Sequence, residues 1–330
     1  MRRLPPVLLV FLAFAPAASA QLPTPTPPVT PKPQPAPKPA KGKLSVRVRG
    51  GLVDGRKHYY VPGQRVTIVG REKPFVHGQY VKVEVFRRRH RVAAFKVPLQ
   101  RAHRGATFSA RFTPRRRGVY VVRAHHDATP QLAKATARAR KARVLRARAG
   151  QGAHGVRVRL LQRALRSHGY IAPLSGHYDA STARGVLAFR KVNGFARTGY
   201  ASARVYGRLF RHRGGFHLRY RRAGKHVELD WSRQVLVLAR GARVYRIVTA
   251  SSGKPSTPTP FGTFSFYSKT PGTNAKGMVD SNYFHGGYAV HGYAEVPPYA
   301  ASHGCVRIPI PNAAGVYRWI RLGDRIFIYR

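Results

Sequence analysis

Acidic residues are scarce in this 330-residue chain, with 10 Asp and Glu against 61 Lys and Arg, a formal net charge of +51. That scarcity disfavours glycan hydrolysis, which normally needs two positioned carboxylates. Glu228 and Asp230 lie close together, but they alternate along an expected strand and belong to no recognisable cleft motif. Cysteine is scarcer still: Cys305 is the only one, so an internal disulfide is excluded. Long apolar runs are missing as well. The stretch Val7–Ala15 is too short and too proline-flanked to span a bilayer as a stable helix.

What is present at the N-terminus sets the expected compartment. "MRRLPPVLLVFLAFAPAASA" has a basic start, an apolar middle and Ala18-Ser19-Ala20 at its end. This is the pattern of a secretory signal peptide, residues 1–20, cleaved after Ala20. The alternative is an uncleaved anchor. The residue immediately after the cleavage point is Gln21 rather than cysteine, which excludes attachment through a lipidated cysteine. An exported, secreted chain of this charge is drawn to polyanions. No nucleic acid is expected there; anionic wall polymers and membrane headgroups fit better. In that setting an odd thiol points to a reactive group or intermolecular pairing, the alternative being an inert buried cysteine.

The sequence divides by pattern into a multidomain, mainly β chain. Residues 21–43, "QLPTPTPPVTPKPQPAPKPAKGK", form a Pro-rich linker expected to be an extended polyproline spacer. Residues 44–148 carry period-two runs, such as Val81, Val83 and Val85, between Gly/Pro turns, which argues for a β-sandwich. Here "FTPRRRGVYVVRAHHD" resembles the late strands of immunoglobulin-like domains. His125-His126 is read as strand-end polar surface, since no third residue has metal-ligand spacing.

Residues 150–211 switch to helical spacing, with Val158, Leu161 and Leu165, then Ala183, Val186 and Phe189, then Val205 and Leu209. Asp179 or Ser181 would cap the second helix. The same segment, through Leu160, Leu161, Gln162, Leu165, Gly169-Tyr170, Gly176, Tyr178, Thr182, Gly194 and Thr198-Gly199, resembles the peptidoglycan-binding domain family. That family usually has Gln where this chain has Arg190, so a glycan contact there would be altered. A helical spacer without ligand is the alternative.

Residues 216–330 return to strands, "VELDW", "VLVLA", "VYRIVTA", "GTFSFY", "YAVHGY" and "DRIFIYR", with one helix expected to be capped by Asn312 and to carry Val316, Trp319 and Ile320. Cys305 follows Ser302, His303 and Gly304, and His291-Gly292 lies upstream. An imidazole near a thiol takes its proton and activates it. His303, two residues away, and His291, from another strand, both qualify. The backbone N–H groups of Gly304 and Cys305 are placed to stabilise an oxyanion. A zinc site from His285, His291, His303 and Cys305 competes, but its spacing matches no common signature.

"HGYAEVPPYAASHGCVR", 291–307, resembles the signature of the L,D-transpeptidase (YkuD-like) catalytic family, and the likeness extends over about 225–329. It implies a β-rich catalytic domain in which Cys305 is the nucleophile and His291 the proton carrier. It also implies that Gly292, Ser302, His303, Gly304 and Arg307 shape the site, with no cofactor or metal. The implied substrates are peptidoglycan stem peptides and glycan. The implied reaction is transfer from a tetrapeptide stem, releasing D-alanine. An L,D-carboxypeptidase using water, and a non-catalytic wall-binding protein, are the alternatives.

Overall fold

The computed structural model describes residues 38–330; the expected signal peptide and most of the Pro-rich segment lie outside the described residues. Among the described residues no helix is long and apolar enough to cross a membrane. Pro39–Arg330 forms one compact unit.

Its first part is built from short strands: β1 (Lys43–Arg49), β2 (Leu52–Asp54), β3 (Lys57–Tyr60), β4 (Val66–Lys73), β5 (Tyr80–Arg87) and β6 (His90–Pro98). There follow β7 (Gln100–Ala102), β8 (Gly105–Phe112), β9 (Gly118–His126), β10 (Ala135–Thr136) and β11 (Arg140–Val144). One sheet runs β1-β4-β8-β7 and the other β2-β3-β11-β9-β5-β6, with β10 beside β9. Alternation explains the layers: Val81, Val83 and Val85 of β5 are buried against Val46, Ile68 and Phe108 of the opposite sheet. This two-layer arrangement is compatible with the immunoglobulin-like reading.

His126 is not polar surface, as the sequence reading had it. The turn of strand β9 puts it inside, 2% exposed, with Nε2 2.6 Å from Oε1 of the fully buried Glu72. Burial raises the Glu72 pKa, opposed by the charge of His126.

Three helices come next, α1 (Val156–Ser167), α2 (Ala180–Val192) and α3 (Ala203–Leu209). Asp179 caps α2, its carboxylate accepting from Thr182 N–H at 2.7 Å. Gln162 is fully buried and fixes the turn between α1 and α2: its amide donates to the His177 carbonyl at 2.8 Å and Thr182 Oγ1 at 2.9 Å, and it accepts from Gly176 N–H at 2.9 Å. Arg190 faces inward too. It donates to the carbonyls of Ala196 and Tyr200, so it braces the loop after α2 rather than a ligand.

The last part holds β12 (Lys225–Asp230), β13 (Val235–Arg240), β14 (Arg243–Thr249), β15 (Gly262–Ser265), β16 (Ser268–Thr273), β17 (Val279–His285), β18 (Tyr288–Tyr293), β19 (Val306–Pro309), α4 (Ile310–Trp319) and β20 (Arg325–Tyr329). A five-stranded sheet runs β14-β13-β12-β20-β15 and a four-stranded one β16-β17-β18-β19. Val227, Leu236, Val290, Val306 and Val316 of both sheets and α4 share one core. Helix α4 starts ahead of Asn312. Pro309 is its N-cap and Pro311 lies in its first turn, where a missing N–H costs nothing and φ is already helical.

The helices do not hang free. Val158, Leu165, Phe189 and Leu209 belong to the same buried cluster as Val235, Val237 and Ile247 of the five-stranded sheet and Leu52 and Tyr59 of the sandwich. Each such fully buried aliphatic side chain contributes about 1.5–3 kcal/mol, so the junction is a core rather than a hinge.

Candidate active site

Strands β18 and β19 are parallel neighbours, with Val290 opposite Val306, His291 opposite Arg307 and Gly292 opposite Ile308. Side chains alternate along each strand, so His291 and Arg307 share a face. Cys305 lies in the bend that leads directly into β19, two residues before Arg307. Its sulfur points back along β18, 3.7 Å from the Gly287 carbonyl.

His291 is 2% exposed. Burial, aided by the Arg307 charge, lowers its pKa against the raising effect of the Gly292 carbonyl. That carbonyl lies 2.9 Å from Nδ1 and can only accept, so Nδ1 carries the proton. Nε2 is then left with a lone pair. The thiol is half-buried, and burial raises its pKa, although the Ala289 N–H and the Arg307 charge oppose the shift. The resting pair is therefore a thiol and a neutral imidazole.

Gly292 has a packing role. A Cβ there would stand 2.6 Å from Ala313 Cβ, so its absence lets α4 lie close on β18. Gly304 is required twice over: its φ is +117°, and a Cβ would meet the Tyr288 ring at 2.2 Å.

The turn carrying the thiol is fastened from within and from outside. Ser302, 1% exposed, donates through Oγ to the Cys305 carbonyl and accepts the Gly304 N–H at 3.1 Å. The Gly304 N–H is thus occupied, which removes it from the expected oxyanion pair. From outside, the segment 251–259 grips the same turn. Ser251 and Arg307 exchange backbone hydrogen bonds of 2.9 Å, and Ser252 O accepts from Ser302 N–H at 2.9 Å. Thr259, fully buried, accepts Gly253 N–H at 2.8 Å and donates to the Gly304 carbonyl at 2.6 Å. Thr259, Ser252 and Gln234 were not singled out in the sequence, although Ser252 and Thr259 lie in the Gly/Pro/Ser-rich stretch "SSGKPSTPTPFG".

His303 is exposed, and its ring has no hydrogen-bond partner among the described residues. The turn that buries Ser302 sends its neighbour outward, so the two-residue spacing from Cys305 does not seat His303 in the site. Arg307 has no acidic partner among the described residues; its guanidinium lies 4.2 Å from the centre of the Tyr293 ring. Its positive charge is left available to an anionic group. His285 stacks on Tyr288 and lies tilted against Phe264, and among the described residues no three His, Cys, Asp or Glu come together as metal ligands. Glu228 and Asp230 do not form a hydrolytic pair. Glu228 is fully buried, held by Tyr329, His226 and the N–H groups of Arg219 and Tyr220, while Asp230 pairs with Arg233.

Residues 224–328 match the YkuD family, the L,D-transpeptidase catalytic domain. Residues 154–209 match a peptidoglycan binding domain family. No curated protein matches the chain. Among solved structures, the L,D-transpeptidase (residues 123–326) of Xylanimonas cellulosilytica is 31% identical, covering 56% of this chain and 98% of that one, with a TM-score of 0.51. L,D-transpeptidase 1 of Mycobacterium tuberculosis is 28% identical over 32% of this chain and 61% of that one, with a TM-score of 0.26. An L,D-transpeptidase of Stackebrandtia nassauensis is 19% identical over 55% and 95% of the two chains, with a TM-score of 0.35. The family matches and the relative covered almost end to end agree: this chain belongs to the L,D-transpeptidase (YkuD) family and carries a peptidoglycan-binding helical module upstream of the catalytic domain.

Proposed function

We propose that the chain is a peptidoglycan L,D-transpeptidase whose nucleophile is Cys305 and whose general base is His291. The observation that supports this reading is His291 on β18 beside β19, the strand that Cys305 leads into, with the imidazole neutral and its Nε2 lone pair open. Nε2 takes the thiol proton as sulfur attacks the carbonyl of the third residue of a tetrapeptide stem. The bond to terminal D-alanine breaks, and its amine leaves with the proton from His291. A thioester remains on Cys305. The side-chain amine of a neighbouring stem attacks that thioester, its proton passes through His291, and the thiol is restored.

With the Gly304 N–H occupied by Ser302, the oxyanion would fall to the Cys305 N–H. Arg307, lacking an acidic partner, suits a stem carboxylate, which a guanidinium binds through paired hydrogen bonds. The module 150–211 would hold glycan, and the charge of +51 would add attraction to anionic wall polymers outside the cytoplasm. Water in place of the amine gives L,D-carboxypeptidase activity, and both share the acylation half. Mass spectrometry of the purified protein with a tetrapeptide-stem muropeptide tests the reading. A Cys305 adduct lacking one D-alanine, followed by a cross-linked dimer, is expected; a released tripeptide alone would assign the hydrolytic activity, and no adduct would remove Cys305 as nucleophile.

A further inference from the structure

Lys191 ends the second helix of the peptidoglycan-binding module, yet its ammonium is not in solvent. It is 3% exposed, and no carboxylate pairs with it among the described residues. Its three protons go into the catalytic sheet: to the Gln234 carbonyl at 3.0 Å, Thr249 Oγ1 at 2.7 Å and the Ala250 carbonyl at 2.9 Å. Burial, with the nearby Arg197 charge, pulls its pKa down to about 7. A buried cation costs stability unless fully hydrogen-bonded, and here all three acceptors would lose their donor if the ammonium were removed.

The acceptors lead to the thiol. Gln234 sits with φ +55°, a left-handed conformation that a non-glycine residue holds only when its surroundings fix it. Its side chain accepts from Ser252 N–H at 2.8 Å and donates to Ser252 Oγ at 2.8 Å. Ser252 O in turn accepts the N–H groups of Ala301 and Ser302, both at 2.9 Å. Ser302 then bonds the Cys305 carbonyl. The path from Lys191 to the Cys305 carbonyl is a series of hydrogen bonds joined through the residues Gln234, Ser252 and Ser302.

We propose that Lys191 is a positioning residue through which the peptidoglycan-binding module sets the geometry of the Cys305 turn. Deepening the proposed function, this rests on Cys305 being the nucleophile. On this account the module is part of the catalytic apparatus, and a change at the end of α2 reaches the reacting sulfur through Gln234 and Ser252.

The test uses the full chain with Lys191→Met, which keeps the length and removes the charge. Thr249→Val is the milder variant, deleting one acceptor without changing shape. Expected for both is cooperative unfolding and unchanged pelleting with peptidoglycan sacculi. Acylation should slow by about 10–100-fold for Lys191→Met with KM unchanged, and iodoacetamide should alkylate Cys305 faster as the turn loosens. Gln234→Ala should reproduce the defect, and the Lys191→Met/Gln234→Ala pair should lose little more than either alone. Alkylation needs no peptidoglycan chemistry, so it reports on the turn even if the wild-type protein forms no acyl-enzyme. Wild-type acylation and alkylation in folded Lys191→Met would overturn the proposal. So would fully additive losses in the pair, which would reduce Lys191 to domain adhesion. Should Lys191→Met not fold, Thr249→Val decides by the same two rates.

Discussion

His291 on β18 stands directly opposite Arg307 on β19 in a parallel register. A fixed cation beside an imidazole opposes its protonation, and the same cation favours ionisation of the neighbouring thiol. Burial dominates both groups, however, so the site rests as neutral imidazole and thiol. On the proposed mechanism the chemistry then waits for substrate to bring sulfur, base and carbonyl together.

The first prediction concerns pH. Because the His291 pKa lies below the ordinary value of 6.5, the acidic limb of the acylation rate should fall below that value as well. Iodoacetamide alkylation of Cys305 should rise only in the ordinary thiol range or above, without a plateau below about pH 7. Arg307→Gln should move that rise further upward. A thiolate plateau in mild acid would establish a preformed ion pair instead.

His291→Ala should lower acylation by about 10²–10⁴-fold, whereas His303→Ala should leave most of it. The two variants are compared by stopped acylation reactions resolved by mass spectrometry. Equal losses would give the exposed His303 a role its outward position does not explain.

Ser302→Ala should leave the fold standing and cut kcat by about 10–100-fold, because one hydroxyl holds both the Gly304 N–H and the Cys305 carbonyl. Thr259→Val should act in the same direction through the Gly304 carbonyl. Steady-state kinetics separate this from a binding defect: KM should hardly move.

Gly304→Ala combines a left-handed φ with a methyl driven into the Tyr288 ring. A loss of about 1–3 kcal/mol is expected from the backbone alone, read as a lower denaturation midpoint. Tyr288→Ala in the same chain should recover the steric part and leave the backbone part.

The buried pair His226–Glu228 should give stability its own pH signature. For His226, burial is outweighed by hydrogen bonds to Glu228 and the Gly224 carbonyl, and its pKa is raised from 6.5. That contribution is complete below 6.5 and fades as pH rises through the raised value. For Glu228, burial is outweighed by His226, Tyr329 and two backbone N–H groups, and its pKa is lowered from 4.5. That contribution is complete above 4.5 and fades as pH falls through the lowered value. The pair should therefore stabilise most between the two limits. Thermal unfolding of wild type minus Glu228→Gln across this range should show the plateau and both declines; a flat difference would sink the assignment.

Much of this was readable in the residues. Alternating valines marked β5, Asp179 marked a helix start, and the spacing of His291 and Cys305 pointed to a thiol site. Other features depended on partners distant in sequence. The hairpin β16–β17 has irregular register near Thr270 and Thr273, which breaks the period-two pattern that would have revealed it. Lys191, within "FRKVNG", reads as helix surface until β13 and β14 arrive to cover it. Thr259 looks like one more polar loop residue, because nothing local announces that its hydroxyl will meet Gly304. His126 and Glu72 reached the interior for the same reason: a charged residue's burial is decided by the strand across from it.

Under the proposed function, the core running from Leu52 through the helices to Val237 also bears on where cross-links would form. A glycan-holding module on a loose tether would raise the local concentration of stem peptides at every distance the tether can reach. A module seated on the catalytic sheet does so at one offset only. The gripped strand and the attacked stem would then be separated by a distance written into the protein, and cross-links would be laid down with a preferred spacing along the polymer.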